Sequence, residues 1–122
     1  MGTNPISTSL EQSIKLMDMG LAENTADLYY ILRSNSEPRL VFFTSAPPKG
    51  FLNEVPAWSL SALINLLPEF IESEGKDYCL LMLSNRVVYW DGNITKLFET
   101  TEANLIDAVI EALLWLLEKN YI

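Results

Sequence analysis

The chain has 122 residues, 49% of them apolar and 20% charged, with a formal net charge of −8. That length fits one domain spanning 1–122, and a chain of this size buries roughly two-thirds of its unfolded surface without needing a metal or disulfide. The eight basic residues are scattered singly, so no cationic stripe offers itself to nucleic acid or anionic lipid, and neither is an expected partner.

Histidine is absent and Cys79 is the single cysteine. Ser-His-Asp and Cys-His pairs, His-containing zinc sites and an internal disulfide are thereby excluded. Neither G-x-G-x-x-G, G-K-[ST] nor G-x-S-x-G occurs. The expectation is a domain without cofactor or metal that leans away from catalysis, although lysine- or carboxylate-based chemistry stays open. Residues 1–10 lack the basic start and apolar stretch of a secretory signal. The longest apolar run, 105–117, is interrupted by Asp107 and Glu111 and falls short of about 20 residues. A cytoplasmic setting without a membrane span is expected.

In chain order, residues 1–8 read as poorly ordered. Ser9 and Gln12 then have capping-box spacing, and Leu10, Ile14, Met17 and Leu21 follow at helical intervals, predicting a helix over 10–19 with Gly20 as its stop. Residues 28–32 and 40–44 are β-rich, and the turn-forming cluster 34–38 between them predicts a hairpin. Ala46-Pro47-Pro48-Lys49-Gly50 breaks regular structure, so 46–55 reads as a loop.

A second helix is predicted after the cap Ser59, with Trp58 stapled on Leu63 and Leu60, Leu63, Ile64 and Leu67 inward. Pro68 stops or kinks it, and a last turn could reach Ile71. Glu69, Glu72, Glu74 and Asp77 follow no Ca²⁺-loop spacing and read as a solvated acidic corner. Residues 78–84, 87–90 and 94–98 read as a three-stranded meander, with Asp91-Gly92-Asn93 a hairpin turn and the last strand at an edge. Asn93-Ile94-Thr95 matches the glycosylation triplet, read here as a chance match.

Thr101 is the expected cap of a long final helix, with Glu102 at its positive end. Ile106, Val109, Ile110, Leu113, Leu116 and Leu117 fall on one line of that helix, and Leu105, Ala108, Ala112 and Trp115 on another. A helix resting on one sheet needs an apolar stripe only a little over 100° wide. This one is wider, so a further flank must be covered by another helix or another subunit. The order is therefore α-β-β-α-β-β-β-α. The expected fold class is α+β, with one antiparallel sheet of about five strands and helices on one face.

Three segments carry a resemblance: Thr25-Ala26-Asp27-Leu28-Tyr29-Tyr30, then residues 55–68 beginning Val55-Pro56-Ala57-Trp58-Ser59-Leu60, then residues 107–116 with Glu111 and Trp115. Together they resemble a group of small bacterial proteins of prophage-like or other mobile elements sharing the pattern (I/V)PAWSLSALLxLLP. The resemblance implies an accessory mobile-element protein and transfers no activity.

Two functions are weighed. The first is a non-catalytic protein–protein interaction module, self-associating into a homo-oligomer or binding another protein. Its interface residues would be Trp115, Leu105 and Ala112 on the final helix and Tyr29 and Trp90 on an open sheet face. The alternative is a small-ligand-binding or enzymatic domain, with a pocket between the sheet and the 46–55 loop lined by Trp58.

Overall fold

A computed structural model describes residues 6–32, 37–42 and 54–122, with the side chains of residues 41 and 42 left aside. Its helices are α1 (Leu10–Asp18), α2 (Leu60–Ile64) and α3 (Leu105–Glu118). Its strands are β1 (Leu28–Ile31), β2 (Arg39–Phe42), β3 (Glu54–Ala57), β4 (Phe70–Ser73), β5 (Lys76–Leu83), β6 (Arg86–Trp90) and β7 (Lys96–Thr101). The class is α+β, but the strands form two antiparallel sheets, ordered β2-β1-β3 and β4-β5-β6-β7, rather than one sheet of five.

Both additional strands lie where local rules favour something else. β3 contains Pro56, which lacks an N–H for a ladder. It is tolerated because β3 pairs only with β1, at an edge of the described sheet. β4 lies where the sequence allowed a last helical turn. α2 ends early at Ile64, and the chain continues through tight turns in which the Leu66 and Leu67 amides donate to the Leu63 and Ile64 carbonyls at 3.0 and 3.1 Å. Pro68 then disfavours helical geometry at Leu67. Glu74 and Gly75, with φ of 52° and 78°, make the two-residue turn that returns β4 into β5. Glu74 thus turns a hairpin, and Glu69, Glu72, Glu74 and Asp77 are all exposed around it, a solvated acidic corner.

The helix starts follow their caps. Ser9 Oγ accepts from the Gln12 amide at 3.1 Å while Gln12 Oε1 accepts from the Ser9 amide at 2.9 Å, the reciprocal capping box. Ser59 Oγ accepts from the Ala62 amide. The cap of α3 is Asn104, whose Oδ1 accepts from the Asp107 amide at 2.9 Å; Thr101 instead closes β7, paired with Arg86. α1 and α3 end alike. The Leu21 amide reaches the Leu16 carbonyl around Gly20, and the Tyr121 amide reaches the Leu116 carbonyl around Asn120, each with a positive φ at the turning residue. This is the Schellman arrangement.

One core joins these pieces. The inner face of the four-stranded sheet contributes Ile71, Tyr78, Val87 and Tyr89. α3 contributes Ile106, Val109, Leu113 and Leu116, α1 contributes Leu16, and the α2 region Trp58 and Leu63. α3 packs on β6 and β7 and against α2, and Gln12 of α1 donates from Nε2 to Asp107 Oδ1 of α3 at 2.8 Å. Most of the wide apolar circumference of α3 is therefore covered within the chain, while Leu105, Trp115 and Leu117 stay half-buried.

The expectation of loose order over 1–8 does not extend to the end of that segment. Ser7 and Thr8 are buried, and Thr8 is bonded to Trp58, Ser13 and Tyr30. Among the described residues, no helix is long and apolar enough to cross a membrane.

Candidate interaction surface

Side chains alternate across a strand, so one face of the four-stranded sheet takes every second residue. The inner set is Ile71 on β4, Tyr78, Leu80 and Met82 on β5, Val87 and Tyr89 on β6, and Phe98 on β7, all in or against the core. The outer set is Phe70 and Glu72 on β4, Asp77, Cys79, Leu81 and Leu83 on β5, Arg86, Val88 and Trp90 on β6, and Glu99 on β7. None of these belongs to the core cluster. Register places Phe70 beside Cys79 and Cys79 beside Trp90 in one row, with Leu81, Val88 and Glu99 in the next.

The outer face is thus a continuous apolar strip. Phe70 is 64% exposed and Leu83 46%, whereas Val88, at the strip's centre, is only 3% exposed. Leu81, Cys79 and Trp90 are half-buried. Contiguous exposed apolar surface marks a contact site, and on this face Phe70 and Leu83 carry most of it, joined by the half-buried Cys79, Leu81 and Trp90.

Charges border the strip unevenly. On the β7 side Glu99 accepts from Arg86 Nη1 and from Lys96 Nζ, both at 3.1 Å. The Arg86 guanidinium first, then Lys96, holds the Glu99 carboxyl below its ordinary range. Beyond the end of β6, Asp91 accepts from the Asn93 and Thr95 amides at 2.9 and 3.1 Å and pairs with Lys76 at 3.3 Å. The Asn93 amide bond is the leading reason its carboxyl is held at about 2. On the β4–β5 side Glu72 and Asp77 stand directly opposite each other, both exposed, and neither takes part in a salt bridge among the described residues.

The five residues expected at an interface fall in different places. Trp90 lies on the outer face. Tyr29 lies on the other sheet, between Val41 of β2 and Pro56 of β3. Ala112 is completely buried and offers no surface. Leu105 is half-buried against the core and lines a shallow groove of about 390 Å³ with Leu60, Ser84 and Asn85. Trp115 is half-buried among its own chain's rings, stacked on Phe98 at 4.5 Å with Tyr121 at 5.4 Å and Tyr89 at 6.1 Å.

Sequence reasoning passed over Phe70, Glu72 and Asp77 as outer-face residues. The signal for them was Gly75 two residues beyond Ser73, a turn marker that makes Phe70-Ile71-Glu72-Ser73 a strand.

Trp58, expected to line the alternative pocket, presents no surface to one. That ring is completely buried, and its Nε1–H donates to Thr25 Oγ1 at 2.9 Å. Residues 46–53 of the expected loop lie outside the described residues, while residues 54 and 55 belong to β3. Among the described residues, no group of three or more Cys, Asp or Glu side chains is arranged to hold a metal. Comparison with family models, curated proteins and solved structures finds no match to this chain.

Proposed function

We propose that this domain is a non-catalytic protein-interaction module whose contact surface is the outer face of the four-stranded sheet. One observation carries the reading. The strip from Phe70 through Cys79, Leu81 and Trp90 to Leu83 is apolar on the side of the sheet away from α3. A strand that needs only one buried face can place polar residues on the other; these strands place large apolar ones on both. Self-association, which the width of α3 had suggested, keeps this face as its route, because α3 itself is mostly covered.

Hydroxyl-radical footprinting in the native cell tests the reading against the purified chain. Phe70, Leu83 and Trp90 should label less in the cell, whereas Ile94 and Met19, exposed apolar residues elsewhere on the molecule, should label equally in both settings. Equal labelling of the two sets overturns the proposal.

A further inference from the structure

Resting on that reading, we infer that the occupant of the outer face is a basic polypeptide segment, one that sets large apolar side chains beside Lys or Arg. The charges around the strip select it. Like charges directly opposite each other on one sheet face are destabilising, yet Glu72 and Asp77 hold that relationship in the row next to the apolar row Phe70-Cys79-Trp90. The cations carried by the strands of this sheet are already engaged: Arg86 and Lys96 with Glu99, and Lys76 with Asp91. The unneutralised charge at the border of the strip is therefore negative, and a partner must bring the positive charge.

Spacing supports the same occupant. Glu72 and Asp77 are two residues along their strands from Phe70 and Cys79, a step of roughly 7 Å. An extended partner repeats that step between alternate side chains, so a Lys two residues from a Leu meets the carboxylates while the Leu meets the strip. The formal charge of −8 adds long-range attraction for a basic segment. It also disfavours a second copy, which would bring a further net charge of −8 to this edge.

The test uses three capped heptapeptides, Leu-Thr-Lys-Thr-Leu-Thr-Lys, which sets each Lys two residues from a Leu on one face, and its counterparts with Ser or Glu in place of Lys, titrated into the full chain. The Trp90 indole N–H resonance is the readout. The Lys peptide should move it saturably and the Glu peptide should not. Glu72→Gln with Asp77→Asn should weaken the Lys peptide by roughly three- to thirtyfold, as expected for two exposed ion pairs. Glu23→Gln with Glu118→Gln removes the same charge elsewhere and should change binding less than twofold. Equal weakening by both double variants overturns the inference, because the effect is then net charge alone.

Two further outcomes overturn it while leaving the interaction face standing. One is equal binding of the Ser and Lys peptides at Trp90. The other is a concentration-dependent dimer, seen by sedimentation, that Phe70→Glu dissociates. Footprinting that shows no protection of the face in the cell removes the underlying reading instead.

Discussion

Thr8 and Trp58, fifty positions apart, are bonded to each other twice. The Thr8 amide donates to the Trp58 carbonyl at 2.9 Å, and the Trp58 amide donates to Thr8 Oγ1 at 3.1 Å. Thr8 Oγ1 also shares a hydrogen bond with Ser13 Oγ at 2.8 Å, and the Thr8 carbonyl accepts from the Tyr30 hydroxyl at 2.8 Å. Thr8 and Trp58 are both completely buried. One small polar residue thereby ties the entry to α1, the central strand β1 and the approach to α2.

Replacing Thr8 by Val keeps the shape and removes the acceptor, leaving the Trp58 N–H without it. A buried donor deprived of its partner costs about 1–3 kcal/mol. Thr8→Val should lose that much in urea unfolding, and Thr8→Ser, which retains the oxygen, distinctly less. A Thr8→Val loss below about 0.5 kcal/mol, the range of ordinary surface changes, would contradict the role assigned to this hydroxyl.

Leu113 tests the placement of α3. It is completely buried within the cluster shared by the sheet and the other helices, so Leu113→Ala should cost about 2–5 kcal/mol as a large-to-small core change. Equilibrium unfolding in denaturant measures the difference. A near-silent substitution would mean that the helix presents another side to the core.

Asp91 links stability to acidity. Its folded carboxyl titrates at about 2, below the ordinary 3.8, chiefly because the Asn93 amide donates to the ionised form. The unfolded state takes up the proton first as pH falls, so the stabilisation is fully present above about pH 4 and is lost through the interval down to about pH 2. Denaturation midpoints of the native chain and Asp91→Asn should therefore differ at pH 6 and converge toward pH 2. A difference independent of pH over that interval would exclude the carboxylate as its source.

The candidate surface was only partly legible in the sequence. The neighbouring aromatics Tyr89 and Trp90 had to point opposite ways because a strand alternates, and the structure buries Tyr89, bonded through its hydroxyl to the Pro68 carbonyl at 2.8 Å, while Trp90 faces outward. The reading failed at Phe70. There Pro68 and the preceding Leu-rich segment spoke for a dying helix, and the strand is fixed by pairing with Tyr78 and Cys79 across a turn. It failed also at Ala112, because helical periodicity reveals that a flank is apolar without naming what lies against it.

By itself the sequence determined the features that act over a few residues. These are the starts of α1 and α2 at Ser9 and Ser59, the Gly20 stop, the alternation of the β5–β7 meander, and an α3 too apolar for one layer. Tertiary structure alone decided that the described strands divide into two sheets, that α3 packs on β6, β7 and α2, and that Glu72 faces Asp77 beside a partly exposed apolar strip. Caps and periodicities are set by a residue's immediate neighbours. Strand partners and the covering of a face depend on groups distant in the chain, brought together only when the core closes.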